Sequence, residues 1–252
     1  MGKKGGSRHL KRKPAPKSWP IHRKEHIWAV KPKPGPHSLS HCIPLSIVMR
    51  DILQYAKTRK EAIAIISRGK VLVNGQIRKE DTFPVGLMDI VTIPDAEEAY
   101  RILPAKKGLI LQPIKEEEAA LRLLRIESKT VLVEGRIQLN LHDGTNKIIG
   151  AADPEDAAGD TYQTLDVVKV TVPEGEITEQ IRLQKGASAI IFGGQNRGVQ
   201  GRVVDVEEEA GKRRRSLLAT LEDQTGKSFQ TILDFIFVTE SGEKTTSESK
   251  VS

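Results

Sequence analysis

The string VLVNGQIR at residues 71–78 constrains the fold more than any other, because Asn74-Gly75 tolerates positive φ at both central positions of a two-residue hairpin turn. β-Branched residues flank the dipeptide, so two antiparallel strands should meet there. Upstream, Thr58 and Glu61 stand at capping-box spacing, Ala62, Ile65 and Ile66 share one helical face, and Gly69 supplies a stop. This pattern predicts a short helix. Before it, Leu45, Val48, Met49, Ile52 and Tyr55 recur at helical spacing from Leu45 to Tyr55, with Pro44 suited to the first turn. Downstream, an apolar run from Asp89 to Ile93 ends at Pro94. Helix, helix, hairpin and strand together make a compact α+β module.

Charge is distributed unevenly around this module. The formal net charge of the 252 residues is +7, yet residues 1–42 hold eleven Lys/Arg and one acid, and residues 95–181 hold ten against seventeen. A cationic run alone describes a solvated face. Here Trp19, Trp28, six prolines and five of the six histidines interleave with the cations. That mixture suits an extended backbone threading between phosphates, with aromatic rings stacking on exposed bases. The expectation is an extended basic N-terminal tail that orders on RNA. Its candidate RNA contacts are Arg8, Lys11, Arg12, Lys13, Lys17, Trp19, His22, Arg23, Lys24, Trp28, Lys31, Lys33 and His37. In the module, Arg50, Lys57, Arg59, Lys60, Arg68 and Lys70 lie on or beside the two helices, where they can grip phosphates of a folded RNA together. The tail would supply affinity through counterion release and the helices would supply register, reading shape rather than base sequence.

Residues 104–182 predict one short helix, Glu116 to Arg125, followed by strands in VLVEGRIQLNL, a turn at Asp143-Gly144 and a strand in LDVVKVTV, hence a mostly β central domain. VLVEGRIQ echoes VLVNGQIR, but the flanks differ, and strand-turn-strand hairpins converge on such strings. The acidic balance here points to packing or to neighbouring proteins rather than to RNA. From Lys185, KGASAIIFGGQNRGVQGRVVDVE sets Gly193, Gly194, Gly198 and Gly201 around short β-branched runs, with Arg197 at a loop tip as a further RNA-contact candidate. LLATLED, KSFQTILD and FIFVT supply more strands. Lys212-Arg213-Arg214-Arg215 is equally a solvated hairpin tip or an RNA contact. The expected organisation is a basic extension at 1–42, the helix-hairpin module at 43–103, the central β domain at 104–182, a small β-barrel at 183–240 and a flexible tail at 241–252.

Several chemistries are excluded. Cys42 is the sole cysteine, so no intramolecular disulfide forms, and no apolar run approaches the roughly 18 residues of a membrane span. The N-terminus lacks the apolar stretch of a signal peptide, which leaves a cytoplasmic chain as the expectation. His22 with His26, or His37 with His41 and Cys42, have ligand-like spacing, but a structural zinc site recruits several cysteines, so no metal and no cofactor are expected. The glycines after residue 192 are not followed by a helix with a Gly-Lys-Ser or Gly-Lys-Thr entry, which excludes a nucleotide loop.

Thr58-Arg59, Ile65-Ile66, Gly69, Val71, Val73, Asn74 and Gly75 resemble the RNA-binding domain named after bacterial small-subunit ribosomal protein four. That domain usually has an adjacent Gly-Asp before its last strand, where this chain has Gly86-Leu87-Met88-Asp89, implying a longer last loop. The residues from Lys185 resemble the KOW module, which implies a KOW-containing five-stranded small β-barrel. HLKRKPAPKSW, GPHSLSHCIPL, His142-Asp143 and SFQTILDFIFV resemble the archaeal and eukaryotic, e-type family of small-subunit ribosomal protein four, and the compact length resembles its archaeal members. The resemblance implies an α+β multidomain, structural constituent of the small subunit that binds small-subunit ribosomal RNA without catalysis and supports assembly and translation. It also implies contact with neighbouring small-subunit ribosomal proteins and a ribosome-bound, cytoplasmic place, with no membrane and no small-molecule substrate. The helix-hairpin module also occurs on pseudouridine synthases and a tRNA synthetase. The Arg-Leu-Asp string of the synthases is absent, however, and residues 104–182 are too few for a catalytic domain.

Overall fold

The structure, a computed structural model, describes residues 7, 9–133, 136–149, 162–207 and 217–241. Arg8, Glu134-Gly135, the Lys212–Arg215 cluster and the 241–252 segment beyond Ser241 lie outside the described residues. The described residues fall into two compact units. One runs to Arg122 and adds Asp143–Thr145 and Val170–Glu176; the other comprises Leu123–His142, Asn146–Lys169 and the residues from Ile177 on.

In the first unit, Leu10–Lys11 (β1) pairs antiparallel with Trp28–Ala29 (β2), and Cys42–Pro44 (β3) leads into the first helix. That helix is α-helical only over Leu45–Ile47 (α1) and widens into a π turn over Val48–Ile52, closed by Leu53 N–H donating to the Val48 carbonyl at 2.9 Å. A regular helix through Tyr55 was the expectation. The difference follows from burial: Leu45, Ser46, Ile47, Val48 and Met49 are enclosed on every side, and Gln54 takes a left-handed φ of 58° that ends the helix. Tyr55 is consequently 40% exposed, and its hydroxyl donates to Glu98.

Arg59–Ser67 (α2) begins with the full capping box: Glu61 N–H donates to Thr58 Oγ1 at 3.3 Å, and the Glu61 carboxylate accepts from Thr58 N–H at 3.3 Å and Lys57 N–H at 2.8 Å. Ala62 and Ile66 are fully buried, and Gly69 stops the helix at φ 77°. The hairpin forms as its sequence demands. Leu72–Val73 (β4) and Gln76–Ile77 (β5) flank Asn74 at φ 52° and Gly75 at φ 73°. Pro84–Gly86 (β6) pairs with β3, and Ile90–Ile93 (β7) pairs with β4. Glu98–Ala105 (β8) and Gly108–Ile114 (β9) then extend one sheet of order β5-β4-β7-β8-β9. The boundary expected between residues 103 and 104 therefore falls inside β8.

The N-terminal segment departs furthest from expectation. It is packed on the module as a strap: Leu10, Ala15 and Trp19 belong to the same apolar core as Ile43, Leu45, Met49, Ile66 and Ile102. Trp19 is only 3% exposed, and its Nε1–H donates to the Cys42 carbonyl at 2.6 Å.

Glu116–Ala119 (α3) is a single turn, and the helix expected to reach Arg125 gives way to Leu121–Val131 (β10). Arg122, Leu123, Leu124, Arg125 and Ile126 are consecutively buried, which a strand covered on both faces accommodates and a surface helix does not. With Ile137–Leu141 (β11), Asn146–Ile149 (β12), Val167–Thr171 (β13) and Ile177–Ile181 (β14), it forms a sheet of order β12-β11-β10-β13-β14. The C-terminal strands Ser188–Ile191 (β15), Gln200–Val206 (β16), Leu218–Glu222 (β17), Ser228–Ile232 (β18) and Ile236–Glu240 (β19) make a third five-stranded sheet, order β18-β17-β16-β15-β19. Gly201 is required where β16 crosses β17, because a Cβ there would lie 2.3 Å from the Glu222 carbonyl oxygen.

Candidate nucleic-acid interface

The strap sorts its cations into two kinds. Arg12 is 6% exposed and donates through Nε to the Trp28 carbonyl at 3.3 Å and through Nη1 to the His22 carbonyl. Arg23 donates to four carbonyls, those of Arg12 at 3.2 Å, Lys13 at 2.7 Å, Ala15 at 3.2 Å and Pro16 at 3.2 Å. Both guanidiniums thus serve as internal clamps on strap carbonyls, all but that of Trp28 outside β1 and β2. Trp19 is likewise spent on the core, so base stacking is closed to it. Lys11, Lys13, Lys17, His22 and Lys24 remain exposed, and so does Trp28. Lys31 donates to the Ser7 carbonyl, and Lys33 pairs with Glu80 at 2.7 Å on the surface.

The module cations divide in the same way. Arg50 pairs with Asp51 at 2.7 Å, Arg59 with Asp81 at 2.8 Å, and Lys70 with Asp95. Lys57, Lys60 and Arg68 are exposed and carry no ion pair among the described residues. On α2, Lys60 shares the side opposite Ala62 and Ile66 with Ala64 and Ser67, all three exposed. Small side chains beside a lysine leave room for a phosphate backbone to approach. Arg197, in the β15–β16 loop, is half-buried rather than projecting, and burial lowers the pKa of its guanidinium from the ordinary value.

The most enclosed polar group here is Asp89, which is fully buried. Its Oδ2 faces His37 Nε2 at 2.8 Å and accepts from Gly86 N–H at 2.8 Å; its Oδ1 accepts from Asn74 Nδ2 at 2.9 Å and Arg122 Nη2 at 2.6 Å. Arg122 continues to Asp143 at 2.7 Å. Burial pushes the Asp89 pKa up, but His37, Arg122 and Asn74 outweigh it and hold the carboxyl below the usual carboxylate range. Gly86 is obligatory because a Cβ would sit 2.4 Å from the His37 ring. His37, expected at RNA, is therefore 4% exposed in its side chain and turned inward. The network's signal in the sequence was the unusual Gly86-Leu87-Met88-Asp89 spacing: Met88 takes φ 60° to bring Asp89 back onto the Gly86 N–H. Among the described residues no group of three or more His, Cys, Asp or Glu is arranged to hold a metal ion, and no helix is long and apolar enough to cross a membrane.

Comparison with known proteins divides the chain along the same lines. The RS4NT domain model matches residues 4–40, the S4 domain model residues 45–91, and the model of ribosomal family S4e residues 96–177. The small ribosomal subunit protein eS4 of Staphylothermus marinus is 48% identical over 238 residues, covering 94% of each chain. The chain belongs to the eS4 family. The eS4 protein of Methanocaldococcus jannaschii is 45% identical over 242 residues, covering 94% of this chain and 96% of its own. The crystal structure of the 30S ribosomal protein S4e from Thermoplasma acidophilum superposes with a TM-score of 0.65 at 31% identity, covering 80% of this chain and 96% of that one. Within this eS4 chain the RS4NT match coincides with the strap, and the S4 match runs from α1 into β7.

Proposed function

We propose that the chain is a structural, non-catalytic constituent of the small ribosomal subunit that binds small-subunit ribosomal RNA and supports subunit assembly and translation. The observation that carries this is the outer side of α2, where exposed Lys60 stands opposite the core face beside Ala64 and Ser67, with exposed Lys57 just before the N-cap and exposed Arg68 at the C-cap. None of the three cations forms an ion pair among the described residues, and Lys60 on α2, Lys57 just before its N-cap and Arg68 at its C-cap together suit fixing register on phosphates. The strap adds Lys11, Lys13, Lys17, His22, Lys24 and Trp28 on a backbone already held by Arg12 and Arg23. Arg50, Arg59, Lys70, Lys31, Lys33 and Arg197 take a secondary part, since each is paired locally, held by a carbonyl or half-buried. The five antiparallel C-terminal strands, with Gly193, Gly194 and Gly198 in the β15–β16 loop, support a KOW-type small barrel. The acidic stretch from residue 95 to 181 suits contact with basic neighbouring ribosomal proteins, and the protein works ribosome-bound in the cytoplasm.

Co-sedimentation with small subunits through a high-salt wash tests the assignment. A constituent stays on the particle, whereas a transient regulatory factor dissociates. Lys60→Glu with Arg68→Glu should abolish incorporation while leaving the thermal melt unchanged, and normal incorporation of that variant would refute the proposed face.

A further inference from the structure

The two-stranded ribbon of the strap has one face in the core and one in water. Leu10 opposes Ala29 and Lys11 opposes Trp28 in its register, and Leu10 and Ala29 join the apolar core. Alternation along the strands therefore turns Lys11 and Trp28 outward, together with His9, two residues from Lys11. Trp28 is 55% exposed and follows Ile27 at 68% exposed. Lys11 Nζ lies 5.9 Å from the indole centroid, and the His9 ring lies 5.6 Å away, tilted by 57°. The core of the same unit accepts an indole where one is wanted, as Trp19 shows. Trp28 instead stands in water with Lys11 and His9 beside its ring.

The backbone beneath the indole is fixed. Arg12 Nε holds the Trp28 carbonyl at 3.3 Å, and Arg12 N–H donates to the Ile27 carbonyl at 2.9 Å. The indole is thus carried on a held backbone, with the Lys11 ammonium 5.9 Å over its ring. A partner protein would be met by a broad apolar patch. A single exposed ring among cations, on a segment with eleven Lys/Arg against one acid, is complementary to a base and its phosphate.

We propose that the outer face of this ribbon receives one unpaired nucleotide of ribosomal RNA, its base stacked on Trp28 and its phosphate held by Lys11. The proposal rests on the RNA-binding function above and adds to it a defined base-stacking site.

The test uses full-length protein and deproteinised small-subunit ribosomal RNA, with affinity measured across a salt series for wild type, Trp28→Ala, Trp28→Phe and Lys11→Ala. Trp28→Ala should bind about tenfold more weakly with an unchanged salt slope. Trp28→Phe should restore most of that loss, and Lys11→Ala should lower the slope by about one. The share of tryptophan emission lost in Trp28→Phe reports Trp28, and RNA should quench that share in the wild type. If wild type binds but Trp28→Ala binds equally well, or Trp28→Phe is as weak as Trp28→Ala, the stacking site is overturned while RNA binding stands. If wild type fails to bind, both fall.

Discussion

His37 and Asp89, 52 residues apart in the chain, meet at 2.8 Å between Nε2 and Oδ2 with both side chains buried. The contact ties the end of the strap to the turn before β7, and Asp89 also gathers Asn74 of the hairpin and Arg122 at the start of β10. One carboxylate thereby joins four segments of the first unit.

Removing that carboxylate leaves Arg122 and His37 buried without their shared acceptor. Asp89→Ala should cost about 3–5 kcal/mol in denaturant unfolding. Because the folded-state pKa of Asp89 is depressed, its contribution is complete above the unfolded value near 4 and is lost as pH falls below it. Wild type should therefore lose stability between about pH 5 and 3 more steeply than Asp89→Asn. Parallel pH curves for the two would show that the ion pairs carry no net stabilisation.

Trp19 makes the strap a structural part of the module. Trp19→Ala should destabilise by about 3–5 kcal/mol, whereas Trp19→Phe, which keeps an aromatic ring and loses the bond to the Cys42 carbonyl, should cost markedly less. Chemical denaturation monitored by circular dichroism decides this. For the same reason, deleting the first 42 residues would test folding rather than RNA affinity. Substitution of the exposed lysines is the informative experiment.

Arg125 plays the corresponding role in the second unit. Its Nη1 donates to the carbonyls of Asp234 at 2.8 Å and Ile236 at 2.9 Å, and its guanidinium stacks 4.8 Å from the Phe192 ring centroid. Arg125→Met keeps the stem and removes the donors. It should destabilise by about 2–4 kcal/mol and expose the segment around Asp234 to limited proteolysis. A wild-type digestion pattern would contradict this.

What the sequence disclosed was local. The Thr58/Glu61 capping box, the Asn74-Gly75 hairpin and the Gly69 stop each depend on residues within a few positions of one another, and all three form as expected. The misread elements depend on distant partners. Leu121 to Arg125 has helix-forming residues, but its arginines are buried against acids and carbonyls as far away as Ile236, and this favours a strand. Trp19 and His37 carry the residue types of an RNA contact, and only the positions of Cys42 and Asp89 reveal that they face inward. At the candidate interface the cations were visible in the sequence. Their division into clamps, such as Arg12 and Arg23, and exposed cations that form no ion pair among the described residues, such as Lys57, Lys60 and Arg68, required knowing which carbonyls and acids lie beside them.

We propose that Lys57, Lys60 and Arg68 meet RNA phosphates directly. The decisive measurement is the slope of log affinity for small-subunit ribosomal RNA against log salt, for wild type and for the triple variant Lys57→Ala, Lys60→Ala, Arg68→Ala. The slope should fall in magnitude by about 2–3, close to one unit per lost phosphate contact, with the unfolding midpoint unchanged. An unchanged slope would contradict the account.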